Sequence, residues 1–108
     1  MPFSYPPRVT GSNFEPVSLR VRQDGVALPH LGIAVTINVR DRETRAVIVQ
    51  DGVAEPGDET GRWDFHFTSE QVDAIATNTI WLIEWTVQVG PYTFRTPEPA
   101  QMPVRKRL

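Results

Sequence analysis

Two histidines, a scatter of carboxylates and three tryptophans are the side chains in this 108-residue sequence with chemistry to offer. Asp64 and His66 stand two apart on an alternating segment, so both project from one strand face. With a third ligand they would hold a cation, since a protein metal site normally takes three or four ligands. His30 lies in a Pro-His-Leu-Gly turn, away from that pair in the sequence. Asp58, Glu59, Asp64, Glu70, Asp73 and Glu84 are the acids available for proton transfer, but no spacing sets two of them across a common cleft. Glu84 lies mid-segment between Ile83 and Trp85. It calls for an arginine partner from Arg20, Arg22, Arg40 or Arg95, as a cross-strand surface ion pair.

Nucleophilic and phosphate chemistry lack their signatures. Ser4, Ser12, Ser18 and Ser69 are not in a G-x-S-x-G elbow, and no glycine-rich phosphate loop is present. Cysteine is absent, which removes disulfides, thiolate metal sites and a thiol nucleophile. No catalytic residue, metal site or cofactor is expected, and the chain reads as a non-enzyme.

The tryptophans admit two uses. Trp81 and Trp85 are four residues apart on one face, roughly 13 Å by strand rise, a spacing that suits two stacked sugar rings. Trp81, nearer the strand end, is the better candidate for such a carbohydrate-binding platform. Against this, Trp81 and Trp85 share their face with Ile83, Val87 and Val89, and Trp63 shares its face with Phe65 and Phe67. Those are core patterns, and large aromatics supply much of the burial in a small domain.

The elements that must position these residues alternate with period two. Val17 to Gln23, Ile33 to Arg40, Arg62 to Thr68 and Thr79 to Val89 each carry one apolar and one polar face, the pattern of half-buried strands. Shorter strands are expected at Val26 to Leu28, Ala46 to Gln50 and Tyr92 to Thr96. Asp24-Gly25 is a hairpin-turn dipeptide, and Asp51-Gly52 is read as a turn as well. At Thr68-Ser69-Glu70-Gln71 the period changes and a capping box opens a short helix through Ile75, with Val72 and Ile75 inward. The expected fold is all-β: an antiparallel immunoglobulin-like β-sandwich of six or seven strands, with one short helix and extended proline-rich termini. A small closed barrel is the alternative.

Seven of the ten prolines fall in the first 16 or last 12 residues. Residues 1–16 therefore read as an extended arm, 17–96 as the sandwich and 97–108 as an extended tail. The arm carries Phe3, Tyr5 and Phe14, which pack either back on the domain or on a neighbouring subunit. The tail ends in Arg105-Lys106-Arg107, a short basic end for an acidic neighbour. The chain as a whole has net charge −2 and a pI near 5.6, so neither nucleic acid nor a membrane surface is an expected partner. The opening MPFSYPPRVT has no basic stretch followed by an apolar run, so no secretory signal is expected and synthesis would be cytoplasmic.

Several of these segments together resemble a known family. They are the turn and short arm from Asp24 to Pro29, the strand with a charged end from Val35 to Arg45, and the G-x-W-x-F-x-x-T stretch from Gly61 to Thr68. The Glu84-Trp85 pair and the proline-bounded final strand complete the pattern. Over roughly residues 17–104 the order resembles the immunoglobulin-like domain that begins the upper-baseplate proteins of siphophages, and related small proteins encoded among phage head and tail genes. The long downstream regions of the baseplate proteins have no counterpart. The resemblance implies a free-standing virion piece, a decoration, connector or tail accessory. Its partners would be other capsid, connector or tail subunits, and it would act in oligomeric or lattice copies.

Overall fold

The structure is a computed structural model that describes residues 4–9, 15–73, 78–96 and 98–105. Its centre is the antiparallel pair β5 (Ile33–Asp41) and β9 (Thr79–Val89), in register from Ile33–Val89 to Asp41–Trp81. Alternation turns Val35, Ile37 and Val39 to the same face as Trp81, Ile83 and Trp85, and all six are buried. β6 (Val47–Val53) pairs with the other side of β5. Asp51 and Gly52 do not turn the chain, as the dipeptide suggested. They lie inside β6, where the register slips twice between Gly52 and Val47. Asp51 has φ 52°, and its N–H is held by the Asn38 side-chain oxygen at 2.9 Å, so the dipeptide forms a bulge.

The opposite side of β9 is shared end to end. β10 (Tyr92–Arg95) takes the half from Thr86 to Val89, and β11 (Ala100–Arg105) takes the half from Thr79 to Ile83. The expected extended tail is thus an integral strand, with Ala100, Met102 and Val104 buried. Pro103 fits there for a specific reason. It stands opposite Ile80, whose carbonyl accepts the Arg42 N–H at 2.9 Å on the β5 side. Ile80 and Pro103 are therefore a non-hydrogen-bonded pair, and the N–H that proline lacks was not needed by β9.

The described part of the expected extended arm also belongs to this sheet. β1 (Arg8–Val9) runs parallel to β11, Ser4 bridges Gln101, and the Tyr5 N–H donates to the Gln101 carbonyl at 2.8 Å.

A second sheet consists of β2 (Val17–Arg20), β8 (Arg62–Phe65) and β7 (Glu55–Pro56), all antiparallel. Past Val21 the β2 run continues as β3 (Arg22–Gln23), which pairs with β4 (Val26–Ala27) across Asp24-Gly25. Both turn residues have positive φ, 52° and 79°, as a type I′ hairpin requires. Val17, Trp63 and Phe65 of this sheet, with Val21 just past β2, join the residues of the first in one hydrophobic core.

Helix α1 (Ser69–Asp73) leads from β8 toward β9. Its capping box forms as read from the sequence. The Gln71 N–H reaches Thr68 Oγ1 at 3.2 Å, and the Thr68 N–H reaches Gln71 Oε1 at 2.8 Å. Val72 is buried; Ile75 lies outside the described residues. The chain is therefore a mostly antiparallel all-β fold with one short helix among the described residues. It has more strands among the described residues than the six or seven expected, because both termini contribute, Glu55–Pro56 forms β7, and the run from Val17 to Gln23 divides into β2 and β3.

Candidate docking groove

The two sheets do not cover each other completely. At the β9–β10 hairpin the inner face of the large sheet stays open, with Val87 and Val89 only half-buried. Gly90, with φ 57°, and Pro91 make the two-residue turn. The hairpin's far end is tied by the Thr96 N–H to the Trp85 carbonyl, 3.1 Å, and by the Trp85 N–H to Thr96 Oγ1, 3.3 Å. Tyr92 and Phe94, two apart, share a face of β10 and are 67% and 59% exposed. With Val87 and Val89 on one wall and Leu19, Val21 and Leu28 on the other, they bound an open groove of about 690 Å³. Trp85 also borders it.

The polar groups of the lining are mainly cationic. Arg20, Arg22 and Arg95 border the groove, and no carboxylate does among the described residues. Arg20 is bound to Glu59 outside the groove; its hydrogen bond first and then its charge, with smaller help from the Arg62 and Arg22 charges, hold the Glu59 carboxyl below its ordinary value. No ion pair engages Arg22 or Arg95 among the described residues. A concave, mostly apolar surface with cations at its rim suits an anionic ligand with apolar parts.

The residues singled out in the sequence fall elsewhere. Tyr5 is not offered to a neighbour; it is buried in the domain's own core. The Trp85 indole N–H donates to its phenolic oxygen at 2.8 Å, and its hydroxyl donates to the Ser18 carbonyl at 2.9 Å. Burial raises the Tyr5 pKa, against the opposing pull of the Trp85 hydrogen bond and the Arg8 charge. Arg8 fixes the segment further by donating to the carbonyls of Pro6, Glu15 and Pro16. Phe3 and Phe14 lie outside the described residues, as do Lys106 and Arg107. Arg105 is exposed at the end of β11.

Trp81 is fully buried, and Trp63 and Trp85 nearly so, so none presents a face to a sugar. The sheet that packs over them overturns the platform reading. Trp63 has its indole nitrogen buried with no acceptor in reach and its ring edge-to-face with His30 at 5.1 Å.

The other polar residues are structural. His30 Nε2 donates to the Arg62 carbonyl at 2.7 Å, which fixes its proton on Nε2. Asp64 is engaged by the Ser18 hydroxyl at 2.5 Å and by Arg62 Nε at 2.9 Å, while His66 is exposed. Burial would raise the Asp64 pKa, but these two donors hold it below the usual carboxylate value. No group of three metal-ligating side chains occurs among the described residues. Glu84 meets Arg40 at 3.3 Å in a solvent-exposed pair, as the strand pattern suggested. Among the described residues no helix is long and apolar enough to cross a membrane.

Sequence reasoning placed Tyr92 and Phe94 on a strand without marking them as a surface. Their alternation was visible; their exposure depends on where the opposing sheet ends. No family model, curated protein or solved structure matches this chain.

Proposed function

We propose that this chain is a non-enzymatic structural protein of a bacteriophage or prophage virion. It would be a head decoration, a head–tail connector or a tail or baseplate accessory, docking on neighbouring subunits. The reading joins two supports. The first is the sequence resemblance over roughly residues 17–104. The second is the connectivity. With β2, β5, β6, β7, β8, β9 and the β10–β11 run lettered B, C, C′, D, E, F and G, the sheets read B-E-D and G-F-C-C′. This order is compatible with an immunoglobulin-like sandwich carrying a variable-type extra strand, and it supports the reading in that sense.

The observation that carries docking is the exposure of Tyr92 and Phe94 on an open inner face. Contiguous apolar surface of this kind marks interaction sites on soluble domains. Of the arm's aromatics, Tyr5 is committed to the core, and the docking surface proposed among the described residues is the groove.

Quantitative mass spectrometry of purified particles from the encoding phage or induced prophage tests the virion reading. The expected result is the protein at a fixed ratio to the major capsid protein. A ratio near one marks a shell decoration; a small fraction marks connector or tail. Absence from particles would overturn the virion reading and leave a free binding module.

A further inference from the structure

We propose that the groove receives an extended acidic segment of a partner polypeptide, added as a strand along the outer edge of β10 with its apolar side chains inserted between the sheets. The inference rests on the docking part of the function proposed above, not on the virion part.

Three observations converge on this occupant. The first is backbone valence. β11 is capped on its outer side by β1, but β10 pairs with β9 alone among the described residues. The two-residue loop makes Val89–Tyr92 a hydrogen-bonded pair, and strict alternation makes Val87–Phe94 the next. Thr93 and Arg95 therefore turn their N–H and C=O groups outward, as an open template for another strand.

The second is side-chain spacing. An added strand projects every second residue to the same face as Tyr92 and Phe94. That face opens on Leu19, Val21, Leu28, Val87 and Val89. The groove volume, about 690 Å³, lies in the roughly 300–1,000 Å³ range of specific clefts.

The third is charge. Among the described residues, the rim offers Arg22 and Arg95 without ion-pair partners, and no carboxylate borders the groove. Asp24, next along the chain from Gln23, belongs to the β3–β4 turn and not to the lining. A basic segment would meet like charge; an acidic one finds Arg95, together with Arg22, whose charge is shared in part with the Glu59 carboxylate.

The test is a display library of random nine-residue peptides selected on the immobilised full chain, followed by amide exchange on the enriched peptides' complexes. The expected consensus alternates apolar residues with Asp or Glu. Bound peptide should slow exchange at the Thr93 and Arg95 amides, with little change at Tyr92 and Phe94, which already bond to β9. The double variant Arg22→Glu/Arg95→Glu should retain the wild-type melting profile and weaken peptide binding by about tenfold or more.

Failure to enrich any peptide overturns the proposal, as does a basic or unpatterned consensus. Protection of Thr93 and Arg95 that grows with protein concentration in the absence of peptide would assign the edge to a second copy of this chain instead. If Tyr92 and Phe94 prove necessary for assembly in particles while no peptide is enriched, docking stands and the acidic-strand chemistry falls.

Discussion

The indole N–H of Trp85 donates to the phenolic oxygen of Tyr5 at 2.8 Å, a buried bond between residues 80 apart in sequence. The Tyr5 hydroxyl in turn donates a hydrogen bond to the Ser18 carbonyl in the opposite sheet. One hydroxyl thus ties the N-terminal segment, the central strand β9 and strand β2. Removing it leaves a buried indole donor unmatched, which costs about 1–3 kcal/mol. Tyr5→Phe should lower the urea midpoint accordingly at unchanged m-value. A wild-type midpoint would contradict the structural role assigned to the segment.

The Asp41 carboxylate organises the β5–β6 turn. Oδ1 accepts the Glu43 and Thr44 N–H groups at 2.8 and 3.1 Å, and Oδ2 accepts the Thr79 hydroxyl at 2.9 Å. Burial would raise its pKa, but these donors outweigh burial and hold it below the usual carboxylate value. A carboxyl with a folded pKa below its unfolded one, about 3.9, stabilises the fold above that pH. The stabilisation is lost as pH falls from there through the folded value. Wild type should therefore exceed Asp41→Asn in unfolding free energy at pH 7, and the gap should narrow below about pH 4. A gap independent of pH would show that ionised Asp41 contributes nothing.

Gly61 precedes β8 at a point where two backbones approach closely. It has φ 83°, and its carbonyl accepts the Val21 N–H at 2.7 Å. A Cβ there would lie 2.8 Å from the Val21 carbonyl oxygen and 3.0 Å from the Ala27 Cβ. Gly61→Ala combines left-handed backbone strain with overpacking, so a loss of about 1–3 kcal/mol is expected in chemical unfolding.

All three tryptophans are buried, so the native protein should emit at the blue end of the tryptophan range and resist acrylamide quenching. A red-shifted, readily quenched component would place an indole in water and restore the sugar-platform reading.

Legibility in the sequence followed how local each cause was. The alternation of Ile33 to Arg40 and Thr79 to Val89 marked the two central strands, because burial of one face imposes period two. The Thr68–Gln71 capping box could be read atom for atom, because its bonds close within four residues. The Asp24-Gly25 hairpin is equally local. The last strand was harder. Ala100, Met102 and Val104 alternate, but Pro97, Pro99 and Pro103 point to an extended tail. Only the pairing of Pro103 with a residue bonded on its far side makes that proline acceptable. Asp51-Gly52 carries the residues of a turn, and its use as a bulge depends on Asn38, thirteen positions earlier. The groove was the least legible feature, since the exposure of Tyr92 and Phe94 follows from where another sheet stops.

The central claim is that this domain attaches to a neighbouring virion subunit through the mouth bounded by Tyr92 and Phe94. The most direct measurement is incorporation of Tyr92→Asp/Phe94→Asp protein into particles, by complementation of a deletion and mass spectrometry of the purified virions. Both side chains are exposed, so the variant should melt as wild type does. The account predicts normal soluble protein that is lost from particles. Incorporation at the wild-type ratio would contradict it.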